Sequence, residues 1–233
     1  MTTRDALTVA IKHAQFDAKF PWQVAAKLWP AGDPLLDEFS RTRSVFLHIP
    51  KTAGSSVGNA LFGRHVGHRP LRRFLAYHPD ILSRYYVFSF VRNPWDRLYS
   101  GFSYFRRVVG SNAHRDHRWA SSVLADCVSF EAFVGKLEDL SFRRYVQRYD
   151  HFRGQLDWLD PIITKQPQAI KIFRFESLEE GFEEIRSHMR LERQLPHLRK
   201  SGAGAYRTMF SERMKRIVAD VYRRDITLLN YSF

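Results

Sequence analysis

The feature that most constrains this chain is an apolar run that stops at a proline. Val45-Phe46-Leu47-His48-Ile49 is followed by Pro50-Lys51-Thr52-Ala53-Gly54-Ser55-Ser56, after which apolar spacing resumes at Val57. The pattern predicts a strand, a tight loop and a helix. A helix start leaves backbone N–H groups unpaired and carries the positive end of the helix dipole, so a loop at that point suits a bound anion. Lys51 adds a point charge there. Thr52, Ser55 and Ser56 add hydroxyl donors on either side of Ala53, and Gly54 lets the backbone approach a ligand closely. Taken alone, the same residues also describe an ordinary capped helix start.

The loop is not that of the nucleoside triphosphatases, which needs two glycines followed directly by lysine and then serine or threonine. Here Lys51 precedes the only glycine. A second strand-to-helix pattern follows, Tyr85 to Val91 running into Arg92-Asn93-Pro94-Trp95-Asp96-Arg97-Leu98-Tyr99-Ser100. Asn93 suits an N-cap and Pro94 the first helical position. At about 100° per residue, Trp95, Leu98, Tyr99, Phe102 and Phe105 share one side of the helix and Ser100 falls opposite. An arginine fork at the strand end and a serine on the open helix face can converge on one phosphate. A solvated helix face beside a surface arginine is the other reading.

Together the two motifs resemble the signature of sulfotransferases that use 3′-phosphoadenosine 5′-phosphosulfate (PAPS). The wording His48-Ile49-Pro50-Lys51-Thr52-Ala53-Gly54 and Val91-Arg92-Asn93-Pro94-Trp95-Asp96-Arg97-Leu98 is most similar to the carbohydrate branch, which includes heparan sulfate 2-O-sulfotransferase and bacterial relatives. The resemblance continues through Ile172 to Leu178, Pro196 to Ser201, Val221 to Ile226 and Tyr231 to Phe233. It implies PAPS as cosubstrate and no metal. It also implies that Lys51, Thr52, Ala53, Gly54, Ser55 and Ser56 hold the phosphosulfate, Arg92 and Ser100 hold the 3′-phosphate, and Arg199, Lys200 and Ser201 fold over the nucleotide. Two alternatives have distinct signatures. A small-molecule kinase of the same broad fold needs the double-glycine loop and an aspartate after the second strand, where this chain has Arg92. A non-catalytic polyanion or RNA-binding module would bind with strong salt dependence and no regard for a 3′-phosphate.

Composition narrows the setting. A chain of 233 residues with 44% hydrophobic content supports one substantial core, so residues 1–233 are expected to form a single domain. The net charge of +13 attracts anions: the donor, an acidic acceptor, or nucleic acid, for which no specific motif is present. The single cysteine, Cys127, excludes an internal disulfide. No apolar run approaches the roughly 20 residues of a membrane span, and the N-terminus lacks a signal-peptide core, so a cytoplasmic enzyme is expected. The sequence does not specify an oligomeric state.

The expected elements are a helical N-terminal extension over about 1–40, strands at 44–49, 85–91 and 170–175, and helices at 54–62, 71–83, 94–107, 178–190 and 211–224. A helical, arginine- and aromatic-rich insertion on the acceptor side occupies about 105–160. Ser177 and Glu180 form a candidate capping box. The alternation predicts an α/β fold, three-layered, with a central parallel sheet flanked by helices and the ligand at the carboxyl ends of the strands, and the family resemblance implies that it is P-loop-like.

Sulfuryl transfer needs a base for the acceptor hydroxyl and a positive charge on the departing phosphate oxygen. Lys51 fits the second role. Histidine fits the first, since its ordinary pKa of about 6.5 lies near working pH. The family resemblance places a catalytic histidine in a Gly-His segment between the donor motifs, here Gly67-His68. The related enzymes carry another histidine two residues earlier, where this chain has Val66; His65 and His78 stay open as helpers or replacements. His48 reads as a hydrogen-bonded structural residue, His114 and His117 as polar loop residues rather than metal ligands, and Gln155, Trp158 and the basic residues around 143–153 as candidates to line the acceptor cleft, with helix packing the other reading of Trp158. The implied acceptor is a hydroxyl on a saccharide or glycolipid, anionic ones included.

Overall fold

The protein is described by a computed structural model over residues 32–108, 115–159, 169–195 and 205–233. Most of the expected N-terminal extension, His114, and the candidates Arg199, Lys200 and Ser201 lie outside these residues.

A short helix α1 (Asp37–Thr42) leads into β1 (Ser44–Phe46), then α2 (Gly54–Phe62), α3 (Leu71–Tyr77), α4 (Ile81–Arg84) and β2 (Tyr86–Val91). After β2 come α5 (Pro94–Val108), α6 (Arg115–Leu124), α7 (Phe130–Lys136), α8 (Leu140–Gln147) and α9 (Leu156–Leu159). The third strand β3 (Lys171–Arg174) passes through a 3-10 turn (Phe175–Ser177) into α10 (Leu178–His188). A second 3-10 turn (Ala205–Met209), α11 (Glu212–Val221) and α12 (Arg223–Leu228) close the described chain.

The sheet is parallel, in the order β1-β2-β3, with Val45 opposite Val87 and Phe90 opposite Phe173. The apolar strands β1 and β2 are buried, as in a parallel sheet covered by helices, whereas in β3 only Phe173 is buried and Lys171 and Arg174 are exposed. The fold is thus α/β, a three-stranded parallel sheet flanked by helices. Phe46, Phe88 and Phe90 are buried in one core with Phe39, Phe74 and Trp158. Each such side chain contributes roughly 1.5–3 kcal/mol through removal from water. A second core joins Trp95, Leu98, Phe102 and Phe105 of α5 to Phe130 and Phe133 of α7 and to Met214 and Val218 of α11. The expected insertion after 105 is therefore helical and shares its core with the C-terminal helices.

Four expectations shift, each for a local reason. Pairing of β1 stops at Phe46 rather than Ile49, because beyond the Leu47 N–H bond to Phe88 O the carbonyls turn to side chains. The helix expected over 71–83 breaks into α3 and α4 at His78, which precedes Pro79 and has φ −132°, ψ 80°. The last helix is interrupted at Tyr222 (φ −113°, ψ 28°), giving α11 and α12. The Ser177 capping box does not form: its side chain accepts no bond, and the 3-10 turn ties Leu178 N–H to Phe175 O instead. Among the described residues no helix is long and apolar enough to cross a membrane.

Candidate functional site

Between β1 and α2 the backbone carbonyls are taken one after another by side chains. Ser89 Oγ donates to Leu47 O at 2.7 Å, His68 Nδ1 to His48 O at 3.1 Å and Thr52 Oγ1 to Ile49 O at 2.9 Å. Arg97 Nε donates to Pro50 O at 2.9 Å and an Arg92 terminal nitrogen to Lys51 O at 3.1 Å. The amides fare differently. Those of Lys51, Thr52, Ala53, Gly54 and Ser55 donate to no acceptor among the described residues; the first α2 bonds are Ser56 and Val57 N–H to Ala53 O. Among the described residues no side chain caps this helix start. Lys51 (φ 71°) and Ala53 (φ 63°) both sit in the left-handed region, which costs a non-glycine residue on the order of 1–2 kcal/mol. Alternating backbone of this kind turns successive N–H groups toward one concavity, a nest suited to an anion.

The first motif's residues are therefore together in one loop. Thr52 is buried and its hydroxyl is committed to Ile49 O, so its amide is the donor it has to offer. Ser55 is exposed and Ser56 half-buried. Gly54 is required for a steric reason: a Cβ there would stand 1.8 Å from His48 Cδ2 and 2.1 Å from Nε2. Lys51 is half-buried with Nζ 4.5 Å from the Tyr104 ring centroid. Burial, then the charges of Arg92, Arg107 and Arg97, pull its pKa down to about 8, against a smaller opposing pull from Asp116.

The second motif is a clamp. Arg92 is buried and holds both oxygens of Asp96 at 2.8 Å, while stacking 4.0 Å from the Phe175 ring centroid. Gln155 accepts from the Arg92 amide and donates to the Arg92 carbonyl, both at 2.8 Å. Asn93 caps α5 as expected, accepting from Trp95 N–H at 3.1 Å, and its own amide donates to Glu176. Ser100 lies one turn beyond Asp96, half-exposed, with no hydrogen bond from its hydroxyl among the described residues.

Close to the loop's base is a group of histidines. The His48 and His68 rings lie 4.2 Å apart between centroids, His48 and His65 5.1 Å, and His65 and His68 5.4 Å. His151 stands 6.0 Å from His68 and stacks on Tyr104 at 5.4 Å, which links the group to Lys51. A carbonyl can only accept, so the bond to His48 O puts the His68 proton on Nδ1 and leaves the Nε2 lone pair free. Burial holds His68 below the usual histidine range, against the opposing effect of that bond. Burial also depresses His48, with His68, His65 and His151 adding to it, and pulls His151 down to about 3.

His48 departs from expectation: it is 3% exposed, yet its Nδ1 has no hydrogen-bond partner among the described residues. His78 pairs instead with Asp33 at 2.9 Å. Trp158 packs in the core, in keeping with its helix-packing reading. Sequence reasoning passed over Arg97, although it stands in the quoted motif, and over Asp96, Tyr104 and His151. The last two are solitary aromatics in an aromatic-rich segment, and nothing local marks them.

Compared with known proteins, the chain matches the sequence model of the sulfotransferase family over residues 39–232. No curated protein and no solved structure matches it.

Proposed function

The chain belongs to the sulfotransferase family, and from that premise we propose that it transfers a sulfuryl group from PAPS to a carbohydrate hydroxyl, with His68 as base and Lys51 at the leaving oxygen. One observation carries the donor half of this reading: the unpaired amides of Lys51 to Ser55, gathered at the start of α2 beside the Lys51 ammonium. N–H groups left without a partner at a helix start suit a ligand rich in acceptors. A phosphosulfate is such a ligand, and Ser55 and Ser56 add hydroxyls to the same mouth.

In the reaction the acceptor oxygen forms a bond to sulfur as the sulfur–oxygen bond to the phosphate breaks. The acceptor proton passes to His68 Nε2, and the electron pair is left on the phosphate oxygen next to Lys51. Charge stabilisation of that oxygen and alignment of the acceptor supply the catalysis. His68 suits its role because the His48 carbonyl fixes its tautomer. Arg92 and Ser100 receive the 3′-phosphate, Arg92 through the N–H groups not engaged by Asp96 and Lys51 O, and Arg199, Lys200 and Ser201 lie over the nucleotide. The acceptor is a saccharide or glycolipid hydroxyl, and the positive field of the protein favours anionic ones. The residues from about 105 to 160 form the acceptor side.

Calorimetric titration with 3′-phosphoadenosine 5′-phosphate, set against ADP and ATP, tests the reading. Tight binding that depends on the 3′-phosphate is expected. Preference for ATP, or no binding, overturns it. His68→Ala is expected to keep product affinity and lose turnover; a variant that binds and turns over like wild type removes His68 from the chemistry.

A further inference from the structure

We propose that His48, His65 and His68 form a three-histidine site for a divalent transition ion of the zinc class, and that the ion, when bound, switches the enzyme off. The second half rests on the reading of His68 as base; the first does not.

The geometry comes first. One ring nitrogen from each histidine lies within 4.8 Å of the other two. A tetrahedral ion with nitrogen ligands at about 2.0–2.1 Å holds imidazole centroids about 5 Å apart. The three separations here are 4.2, 5.1 and 5.4 Å. Side-chain movements of ordinary rotamer size close the remaining gap.

The surroundings agree. A metal-bound histidine usually donates its second ring N–H to a carbonyl or carboxylate, which fixes the tautomer and aims the lone pair. His68 already has that arrangement through His48 O. His48 is buried with an Nδ1 that finds no partner among the described residues, which is costly for a polar atom unless something else fills the place. His65 is exposed and offers a path of entry; its Nδ1 accepts from Gly67 N–H at 3.1 Å, a single solvent-facing bond that ligation would displace. Gly67, at φ 73°, provides the turn that brings His65 and His68 back to the same place. The donor set is imidazole only, which suits zinc, cobalt, nickel or copper and not magnesium or calcium. Arg69 and Arg97, whose charges are felt at His65 and His68, weaken any cation here and make binding reversible.

An ion held by His68 Nε2 occupies the lone pair that takes the acceptor proton. Binding would therefore stop turnover without touching the nest of amides that holds the donor. A three-histidine set also leaves a fourth tetrahedral position for water.

The test uses the full chain, freed of metal, titrated with Co2+ and read through its visible d–d absorption, followed by displacement with Zn2+. Wild type is expected to show bands of four- or five-coordinate Co2+ that Zn2+ removes. His65→Ala, at an exposed position, should bind Co2+ at least about tenfold more weakly, while His78→Ala, at the histidine paired with Asp33, should match wild type. Circular dichroism and product-nucleotide affinity check that both variants are folded. Absence of the bands, or equal Co2+ affinity in wild type and His65→Ala, overturns the site. Failure of nucleotide binding would leave the Co2+ titration standing, so the two readings fail separately. Zn2+ should also inhibit wild-type turnover, with relief by a chelator; Zn2+ that binds without slowing turnover overturns the switch.

Discussion

At the first strand-to-helix turn the amides of Lys51 to Ser55 meet no acceptor among the described residues, whereas at the second only that of Asp96 goes without. Gln155 takes that of Arg92, Glu176 that of Asn93 and the Asn93 side chain that of Trp95. The first turn is strained at two left-handed residues and lacks a cap; the second is capped and starts at a proline. The difference is one of role within a single device. Arg92 and Arg97 of the second turn reach across to the carbonyls of Lys51 and Pro50, and so hold the first turn in a shape it would not adopt alone. Strain and unpaired donors persist where surrounding structure over-determines them, and here the neighbouring turn does the determining. Unpaired donors and backbone strain are concentrated in one turn, and the struts that hold it in the other.

The strongest way to break this comparison is Arg92→Ala. It strips the Asp96 carboxylate, only 17% exposed, of its ion-pair partner and releases Lys51 O, so a loss of about 3 kcal/mol in urea denaturation is expected. A variant of wild-type stability that merely binds the product nucleotide less well would make Arg92 a ligand and not a strut. Should the variant fail to fold, Gln155→Ala probes the same clamp from its other side. Lys51→Ala is the converse. It removes a charged donor and leaves the backbone conformation as it was, so product-nucleotide affinity should fall about 10- to 100-fold while stability changes by less than about 1 kcal/mol. A large loss of stability with affinity retained would reverse the roles of the two turns.

Much of this was legible in the sequence, for local reasons. Val45 to Ile49 and Tyr86 to Val91 are apolar runs bounded by punctuation, and the Trp95, Leu98, Phe102 and Phe105 spacing falls on the buried face of α5. The loop of the first turn was visible because its signal is contiguous. The clamp was not, because its partners are far apart in sequence: Gln155 lies 63 residues from Arg92, and Glu176 lies 83 from Asn93. The histidine group shows the same limit. His65 and His68 are neighbours in sequence, but nothing in the order of residues places His48 between them and Gly54, or brings His151 alongside. The Ser177 capping box shows the opposite error, since a correct local pattern yielded to a 3-10 turn that satisfies the same helix start.

The Lys51 side chain sharpens the comparison through pH. In the free protein it gives up its proton near pH 8. Above that, binding an anion must bring a proton along, so product affinity should fall by up to about tenfold per pH unit. Calorimetry in buffers of different ionisation heat would read the proton uptake directly. For the fold the sign is opposite. The unfolded chain keeps this proton up to about 10.4, so between about pH 8 and 10.4 it binds more protons than the native state, and the group's contribution to stability rises with pH. Affinity that stays flat through pH 8 to 9 would mean that Lys51 does not face the ligand.

The smallest effect separates strain from binding within the first turn. Ala53 has φ 63°, a conformation glycine adopts freely. Ala53→Gly should relieve about 1–2 kcal/mol of backbone strain and return about 0.5–1 kcal/mol of that as chain entropy lost on folding. The net expectation is a stabilisation of between about zero and about 1.5 kcal/mol, seen as a small rise in the urea midpoint. Product affinity should weaken about twofold, because a freer loop must be ordered by the ligand. A variant that is clearly less stable than wild type would show that the left-handed Ala53 carries no strain, and that the unpaired amides alone distinguish the first turn from the second.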